Sequence, residues 1–359
     1  MKKLITISTI LSLLLVGMIQ GSLEAKPPCP GNSCKTPPPT LTGFVQRSGT
    51  HLLLNGQSYT FTGINIYNAN SRSNCWYSLG NNDAGFANTL TSSGVRSFRA
   101  WFDQGLATTN GVRDWAAFDH TISVAHQMGV KVIPVLSVAD CQGEGIASRQ
   151  TDWLSTGYKT TIVPWQTVTF RAWLKEVATR YRNETAILMW QIGNEWEIKN
   201  PDGTCGPATT LKVFADDTAA VVKAADPNHL VSLGTIGSGQ CGAQGATEYQ
   251  NLHSSPNIDL CEYHDYDHAS EPMPGDQWNG LQTRIDACNA LNKPMFVGET
   301  GIPQSDPNRS SEFQAKRDTE LAAGIVGWLP WEWRAAGQTG GDIYIIPAGD
   351  PTLKVINGG

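Results

Sequence analysis

Ala186-Ile187-Leu188-Met189-Trp190-Gln191-Ile192-Gly193-Asn194-Glu195-Trp196-Glu197 reads as an apolar strand that breaks at a glycine and delivers an amide and an acid. A buried strand ordinarily ends in turn residues facing solvent. Here the end is Asn194 and Glu195, flanked by Trp190 and Trp196, and a carboxylate so placed is not a packing residue. Further along the chain, Met295-Phe296-Val297-Gly298-Glu299-Thr300-Gly301 repeats the pattern: a short apolar run stops at glycine and presents Glu299.

Working outward from these two runs, the chain alternates short β-rich segments with amphipathic ones, the signature of parallel strands joined by crossover helices. Expected strands are Tyr59 to Ile66, Val95 to Trp101, Lys131 to Leu136, Ala186 to Ile192, Leu230 to Thr235, Ile258 to His264, Pro294 to Gly298 and Ile325 to Trp331. The clearest helices are Arg113 to Met128, Thr167 to Arg182, Thr210 to Ala224, Gln277 to Leu291 and Ser311 to Ala323. This α/β alternation predicts a closed (β/α)8 TIM barrel. A doubly wound sheet would want a Gly-rich phosphate turn after its first strand, and Gly63-Ile64-Asn65-Ile66-Tyr67-Asn68 has none. Ahead of the barrel, Phe44 to Tyr59, with turns at Gly49-Thr50 and Asn55-Gly56, predicts a short β-hairpin covering the barrel floor.

The N-terminus, Met1-Lys2-Lys3 followed by an apolar stretch from Leu4 to about Met18, reads as a secretory signal over residues 1–25. It is too short to act as a stable membrane anchor. Residues 26–40 are Pro-rich and contain Cys29 and Cys34, which predicts an extended tether ahead of a catalytic barrel over 41–359. Export makes disulfides the expected use of the 8 Cys. The net charge of -6 with no basic run argues against a nucleic-acid partner, and no membrane association is expected after signal cleavage. The 12 Trp exceed ordinary usage; core filling accounts for some, and stacking on sugar rings is the other use of such faces.

In a (β/α)8 barrel the chemistry sits at the C-terminal strand ends. Arg99 shares a strand face with Ser97 and Trp101, and a strand-embedded arginine needs a buried partner: a structural ion pair, or a catalytic carboxylate it anchors. Cys261-Glu262-Tyr263-His264-Asp265-Tyr266-Asp267-His268 places His264 and Tyr266 on one face and Cys261 on the other, where Cys288 of the next helix could pair with it. A metal cluster of His264, Asp267 and His268 matches no usual zinc spacing, so neither a metal nor another cofactor is expected. Trp331 at the last strand end offers a flat floor for a pyranose ring. Two strand-end glutamates, Glu195 and Glu299, are the minimal equipment for glycosidic bond cleavage. Of the competing acids Glu197, Glu262 and Glu332, Glu262 reads as the buried partner of an arginine and Glu332 as facing away from Trp331.

Taken in order, Arg99 and Trp101, Asn194-Glu195, His264-x-Tyr266, Glu299 and Trp331 resemble the clan A glycoside hydrolases, family 5, over nearly the whole chain from about Phe44. Gly63-Ile64-Asn65-Ile66-Tyr67 and the Tyr344 to Lys354 stretch are more similar to endo-β-1,4-mannanases than to cellulases, whereas the Ala139 to Gly145 loop matches neither. The resemblance implies a retaining enzyme acting on a β-1,4-linked plant polysaccharide such as mannan or glucomannan; with the signal segment, a secreted protein, extracellular or periplasmic, is expected, and it is expected to be a monomer. It further implies Glu299 as an ionised nucleophile and Glu195 as a protonated acid that later becomes the base, with Arg99, Trp101, Asn194, His264, Tyr266 and Trp331 binding substrate. A β-1,4-glucanase, a transglycosylase and a non-catalytic carbohydrate-binding barrel are the alternatives.

Overall fold

Glycine sets the first barrel strand. Gly63 divides it into Phe61–Thr62 and Ile64–Asn65, and a Cβ at Gly63 would meet the Ser97 carbonyl oxygen at 2.2 Å, so only glycine lets the two strands lie this close. Phe61–Thr62 pairs with Gly327–Pro330 and Ile64–Asn65 with Ser97–Trp101. From there the parallel ladder runs through Lys131–Val135, Met189–Gln191 and Leu230–Ser232. A bridge from Ser232 to Leu260 carries it to Cys261–Asp265, then Met295–Thr300 and back to Gly327–Pro330. The ladder therefore closes on itself, and each expected strand has its counterpart in a (β/α)8 barrel. Several are shorter than predicted because the ladder continues at their ends as single contacts, such as the Val132–Ile187 bridge and the Ile192 N–H to the Ser232 carbonyl.

This computed structural model describes residues 42–70, 84–139, 143–266, 272–334 and 342–358. The expected signal segment, the Pro-rich stretch with Cys29 and Cys34, Asp140, Cys141 and Gln142, and Asp267 and His268 lie outside the described residues. No described helix is long and apolar enough to cross a membrane.

The N-terminal element differs from expectation: it is a three-stranded antiparallel sheet, Val45–Ser48, His51–Leu54 and Gln57–Tyr59, where a hairpin was predicted. Both turn sequences reverse the chain, and Asn55 and Gly56 take φ of 54° and 75°, the conformation of a two-residue hairpin turn. Val45, Leu52 and Leu54 pack with Ile133, Leu188, Leu260 and Phe296 from the barrel strands, closing the floor as expected.

The helix Phe170–Tyr181 illustrates how the outer ring forms. Phe170, Trp173, Leu174, Val177, Ala178 and Tyr181 recur at helical spacing and are buried, and the Thr169 side chain caps the start by accepting from the Ala172 N–H at 3.3 Å. Sequence reading missed Ala84–Ser93 and Ala246–His253, whose polar, glycine-bearing or asparagine-bearing sequences carry little periodicity. It also missed the π-helical turn Trp153–Gly157.

Cys261 on the outer face of its strand is bonded to Cys288 of the helix Leu281–Ala290, as predicted, and a second bridge joins Cys205 to Cys241. The Cys261–Cys288 link closes a loop with sequence separation 27. Replacing Cys288 with alanine should cost about 2 to 4 kcal/mol through freer motion of the unfolded chain. Calorimetry would register this as a Tm lowered by several degrees with the calorimetric transition otherwise intact.

Candidate active site

The fourth strand delivers its acid through unusual backbone. Asn194 N–H is held by the Ser137 carbonyl at 2.8 Å and Trp196 N–H by the Gly234 carbonyl at 2.9 Å, while Glu195 between them takes φ 54°, the left-handed region that non-glycine residues rarely occupy. The Trp196 ring lies directly over Gly193, where a Cβ would come within 2.6 Å of it. On the seventh strand a Cβ at Gly298 would meet Glu262 Oε1 at 2.1 Å, so the glycine before Glu299 makes room for the acid of the neighbouring strand.

Across the barrel mouth these strand ends converge. Arg99, fully buried, donates from Nη1 to Glu299 Oε1 at 2.7 Å and to Asn65 Oδ1 at 3.0 Å, from Nε to Gln191 Oε1 at 2.6 Å, and from Nη2 to Asn194 Oδ1 at 2.6 Å. Tyr266 Oη donates to the other Glu299 oxygen at 2.5 Å. His264 bridges the acids: Nδ1 lies 2.8 Å from Glu195 Oε1 and 3.6 Å from Glu299 Oε2, and Nε2 lies 3.2 Å from Glu262 Oε1. One carboxylate oxygen each of Glu195 and Glu299, with a His264 ring nitrogen, fall within 4.8 Å of one another. They open into a cleft of about 470 Å³ lined also by Trp101, Ala139, Arg149, Asn194, Trp331, Asp342 and Tyr344. Trp331 is half-buried, backed by Tyr67 in a stacked arrangement at 5.3 Å and by Trp101 at 5.8 Å, which leaves an indole facing the cleft.

Charge is distributed unevenly among these groups. Burial opposes a charge on His264, but Glu299 and the bonds to Glu195 and Glu262 outweigh it and push the imidazole up to about 10, so it carries a proton at neutral pH. Burial also raises Glu195, yet the hydrogen bond and charge of His264, then Arg149 and Arg99, hold that carboxyl below the usual range. Burial lifts Glu299 above it, with Glu195 adding to the rise and His264, Arg99 and the Tyr266 hydroxyl opposing it. These directions run opposite to the ionised nucleophile and protonated acid that the sequence reading expects. Both Glu299 oxygens nevertheless receive donors, a pattern that the carboxylate completes and the acid does not.

The cellulase model of glycosyl hydrolase family 5 matches residues 54–337. The chain belongs to glycosyl hydrolase family 5. Among its relatives, the probable mannan endo-1,4-beta-mannosidase F of Aspergillus oryzae is 26% identical, covering 87% of this chain and 72% of its own length. The mannan endo-1,4-beta-mannosidase A of Hypocrea jecorina is 27% identical over 86% of this chain and 75% of its own. The crystal structure of an endo-1,4-beta-mannanase from Rhizomucor miehei has the same fold with TM-score 0.67 at 18% identity, covering 88% of this chain and 97% of that one.

Within this family 5 hydrolase, every residue singled out from sequence as catalytic or substrate-binding, Arg99, Trp101, Asn194, Glu195, His264, Tyr266, Glu299 and Trp331, reaches the same barrel mouth. Other expectations change. Glu262 is buried, but Gln191, Ser232 and His264 bond it where an arginine was expected, because Gln191 stands inward on the adjacent strand. Glu332 bonds Arg334 at 2.5 Å, and burial lifts it to about 7. Glu197 bonds Lys199 at 2.6 Å. Trp190 and Trp196 are core residues, Trp190 bonded through Nε1 to Asp226 and Trp196 stacked on Trp153, so neither tryptophan flanking Glu195 lines the cleft.

Sequence reading missed Asn65, Gln191, Arg149, Asp342 and Tyr344. Asn65 and Gln191 were legible in principle, as polar residues inside apolar strands. The Tyr344 to Lys354 stretch now has a physical role: buried Arg309 bonds Asp350 at 2.9 Å and the Tyr344 carbonyl at 2.7 Å, and Tyr344 packs on Tyr266 at 4.9 Å. The grouping of Glu195, His264 and Glu299 has metal-ligand proximity, but Arg99 and Tyr266 already occupy the Glu299 oxygens and a charged His264 offers no lone pair.

Proposed function

We propose that the protein is a secreted, retaining endo-β-1,4-mannanase in which Glu299 is the nucleophile and Glu195 the acid/base. The spacing of the two carboxylates carries this reading. Retaining glycosidases hold them roughly 5 to 5.5 Å apart and inverting ones about 6.5 to 9.5 Å, to leave room for a water. The nearest oxygens of the two carboxylates lie within 4.8 Å of each other, and His264 Nδ1 spans them at 2.8 and 3.6 Å, which supports the closer-spaced class.

The chain's residues then divide the work by what they touch. Arg99 and Tyr266 fix both Glu299 oxygens, so the carboxylate is aimed and kept charged for attack on the anomeric carbon. The Glu195 side chain is a quarter exposed, 25% against 4% for Glu299, so a sugar in the cleft desolvates Glu195 most and raises its proton affinity. Glu195, so raised, takes up a proton from solvent and delivers it to the leaving oxygen. Once the glycosyl ester forms, the Glu299 charge is gone, Glu195 falls, and it activates the water that releases the product. With Asn194 Oδ1 taken by Arg99, its amide nitrogen is the group that donates to a ring hydroxyl, and Trp331 provides the stacking floor.

The mannan preference is supported by the mannan endo-1,4-beta-mannosidase names of the relatives and by the Tyr344 to Lys354 stretch. Secretion is supported by the N-terminal sequence and by two disulfides in the barrel, and export as a monomer with residues 26–40 as a tether is part of the same proposal. Reducing-sugar release from mannan, glucomannan, cellulose and xylan tests the substrate. Release from mannan first is expected; release from cellulose alone would make the protein a glucanase.

His264 gives the site a pH signature. Removing it as His264→Gln takes away the hydrogen bond and positive charge that hold Glu195 low, so Glu195 rises and the alkaline limb of kcat/KM should move to higher pH while its maximum falls. For stability the sign is opposite to that of a lowered carboxyl. The folded histidine at about 10 lies above its free value of 6.5, so its contribution is complete below pH 6.5 and is lost as pH rises toward 10. A pH profile of kcat/KM for the variant on a β-1,4-mannan oligosaccharide, whose leaving sugar needs the proton, checks the first statement. An unmoved alkaline limb would separate His264 from Glu195.

A further inference from the structure

We propose that Arg149 holds the sugar on the leaving-group side of the scissile bond and thereby sets how well a polymer is cleaved relative to a small activated glycoside. This rests on the acid role assigned to Glu195 above. The residue that protonates the leaving oxygen must face the departing sugar. Groups standing beside it in the cleft therefore flank that sugar, and Arg149 lines the cleft with Asn194, Glu195 and Ala139. Tyr266 and Tyr344 crowd the Glu299 side instead.

Two features of Arg149 separate it from an ordinary surface arginine. Its backbone is tied to the segment just past the acid: the Lys199 N–H bonds the Arg149 carbonyl at 2.8 Å, Gln150 bridges to Lys199, and the Thr151 N–H returns to the Lys199 carbonyl at 3.1 Å. The distance from Arg149 to Glu195 is thus set by main chain. Its guanidinium, in contrast, is loosely engaged. Lys199 Nζ takes Glu197 Oε1 at 2.6 Å, and Arg149 Nη1 reaches the same oxygen only at 3.4 Å. A guanidinium carries five N–H donors. With its side chain 23% exposed, Arg149 is steered at one nitrogen and makes no other side-chain bond among the described residues, the arrangement of a side chain kept ready for vicinal hydroxyls.

A purely structural role predicts little, because a partly exposed pair of this kind adds little to stability. A sugar-binding role predicts a split between substrates. The full chain carrying Arg149→Ala or Arg149→Lys would be compared with wild type on linear β-1,4-mannan oligosaccharides and on a nitrophenyl β-mannobioside, whose leaving group carries no sugar. Loss of charged hydrogen bonds to a hydroxyl should lower kcat/KM for Arg149→Ala by about tenfold or more on the oligosaccharides, mostly through KM. On the nitrophenyl substrate the change should stay under about twofold, and Arg149→Lys should retain part of the oligosaccharide activity. Equal losses on both substrates, or no loss on either, would overturn the proposal. If Arg149→Ala folds poorly, the same comparison is read from Arg149→Lys. A wild-type enzyme inert toward both substrates would instead remove the mannanase reading, and this proposal with it.

Discussion

Replacing Glu299 with alanine is expected to reduce kcat on mannan by on the order of 10⁴-fold or more, since the group that forms the covalent bond has no substitute in the cleft. Arg99 would remain buried, still bonded to Asn65, Gln191 and Asn194 but without its carboxylate. Stranding a buried charge costs about 3 to 5 kcal/mol. The variant should therefore melt at a lower temperature as well as lose turnover. Azide, small enough to enter the vacated volume, should partly restore cleavage of an activated aryl mannoside and give a glycosyl azide of inverted configuration. Turnover of polysaccharide by Glu299→Ala at anything near the wild-type rate would exclude Glu299 as the nucleophile.

The second large effect is selective. Glu195→Ala should lose about 10²- to 10⁴-fold on polysaccharide, where the leaving alkoxide needs a proton, and far less on a dinitrophenyl glycoside, whose leaving group departs unprotonated. For such a substrate the slow step becomes hydrolysis of the glycosyl-enzyme, because the base that activates water is also missing. A burst of dinitrophenolate followed by a slow steady rate is the expected trace, read by stopped-flow absorbance. A uniform loss across leaving groups, with no burst, would assign the acid elsewhere.

Why so much of this site could be read from sequence is a matter of strand ends. Buried parallel strands are apolar, so polar residues such as Arg99, Glu195 and Glu299 stand out against Phe98, Ile192 and Val297, and a period of 2 fixes which of them share a face. The same rule placed Cys261 outward onto Cys288. What failed depended on contacts between strands. Alternation puts Glu262 inward but cannot name its neighbour, and the partner proved to be Gln191. Trp190 and Trp196 look identical in sequence to cleft tryptophans; only their partners in space, Asp226 for Trp190 and Trp153 for Trp196, show that the rings lie in the core. Arg149 was illegible for another reason. It lies in a loop whose position relative to Glu195 is set by main-chain bonds to Lys199, which no local pattern encodes.

The protonation order is where geometry adds most. Sequence supplies two acids, an arginine and His264, and the structure places that histidine, charged, between the acids, where it holds Glu195 low. In the proposed mechanism, substrate binding is the event that arms the acid.

The most direct test of the account is to trap the covalent intermediate. Incubating the wild-type protein with an activated 2-deoxy-2-fluoro β-mannoside slows the breakdown of a glycosyl ester, and peptide mass spectrometry then locates the label. The account predicts one added sugar, on the carboxyl of Glu299, with the label absent from the Glu299→Ala variant. A label on Glu195, or an unlabelled protein that releases product of inverted configuration, would contradict it.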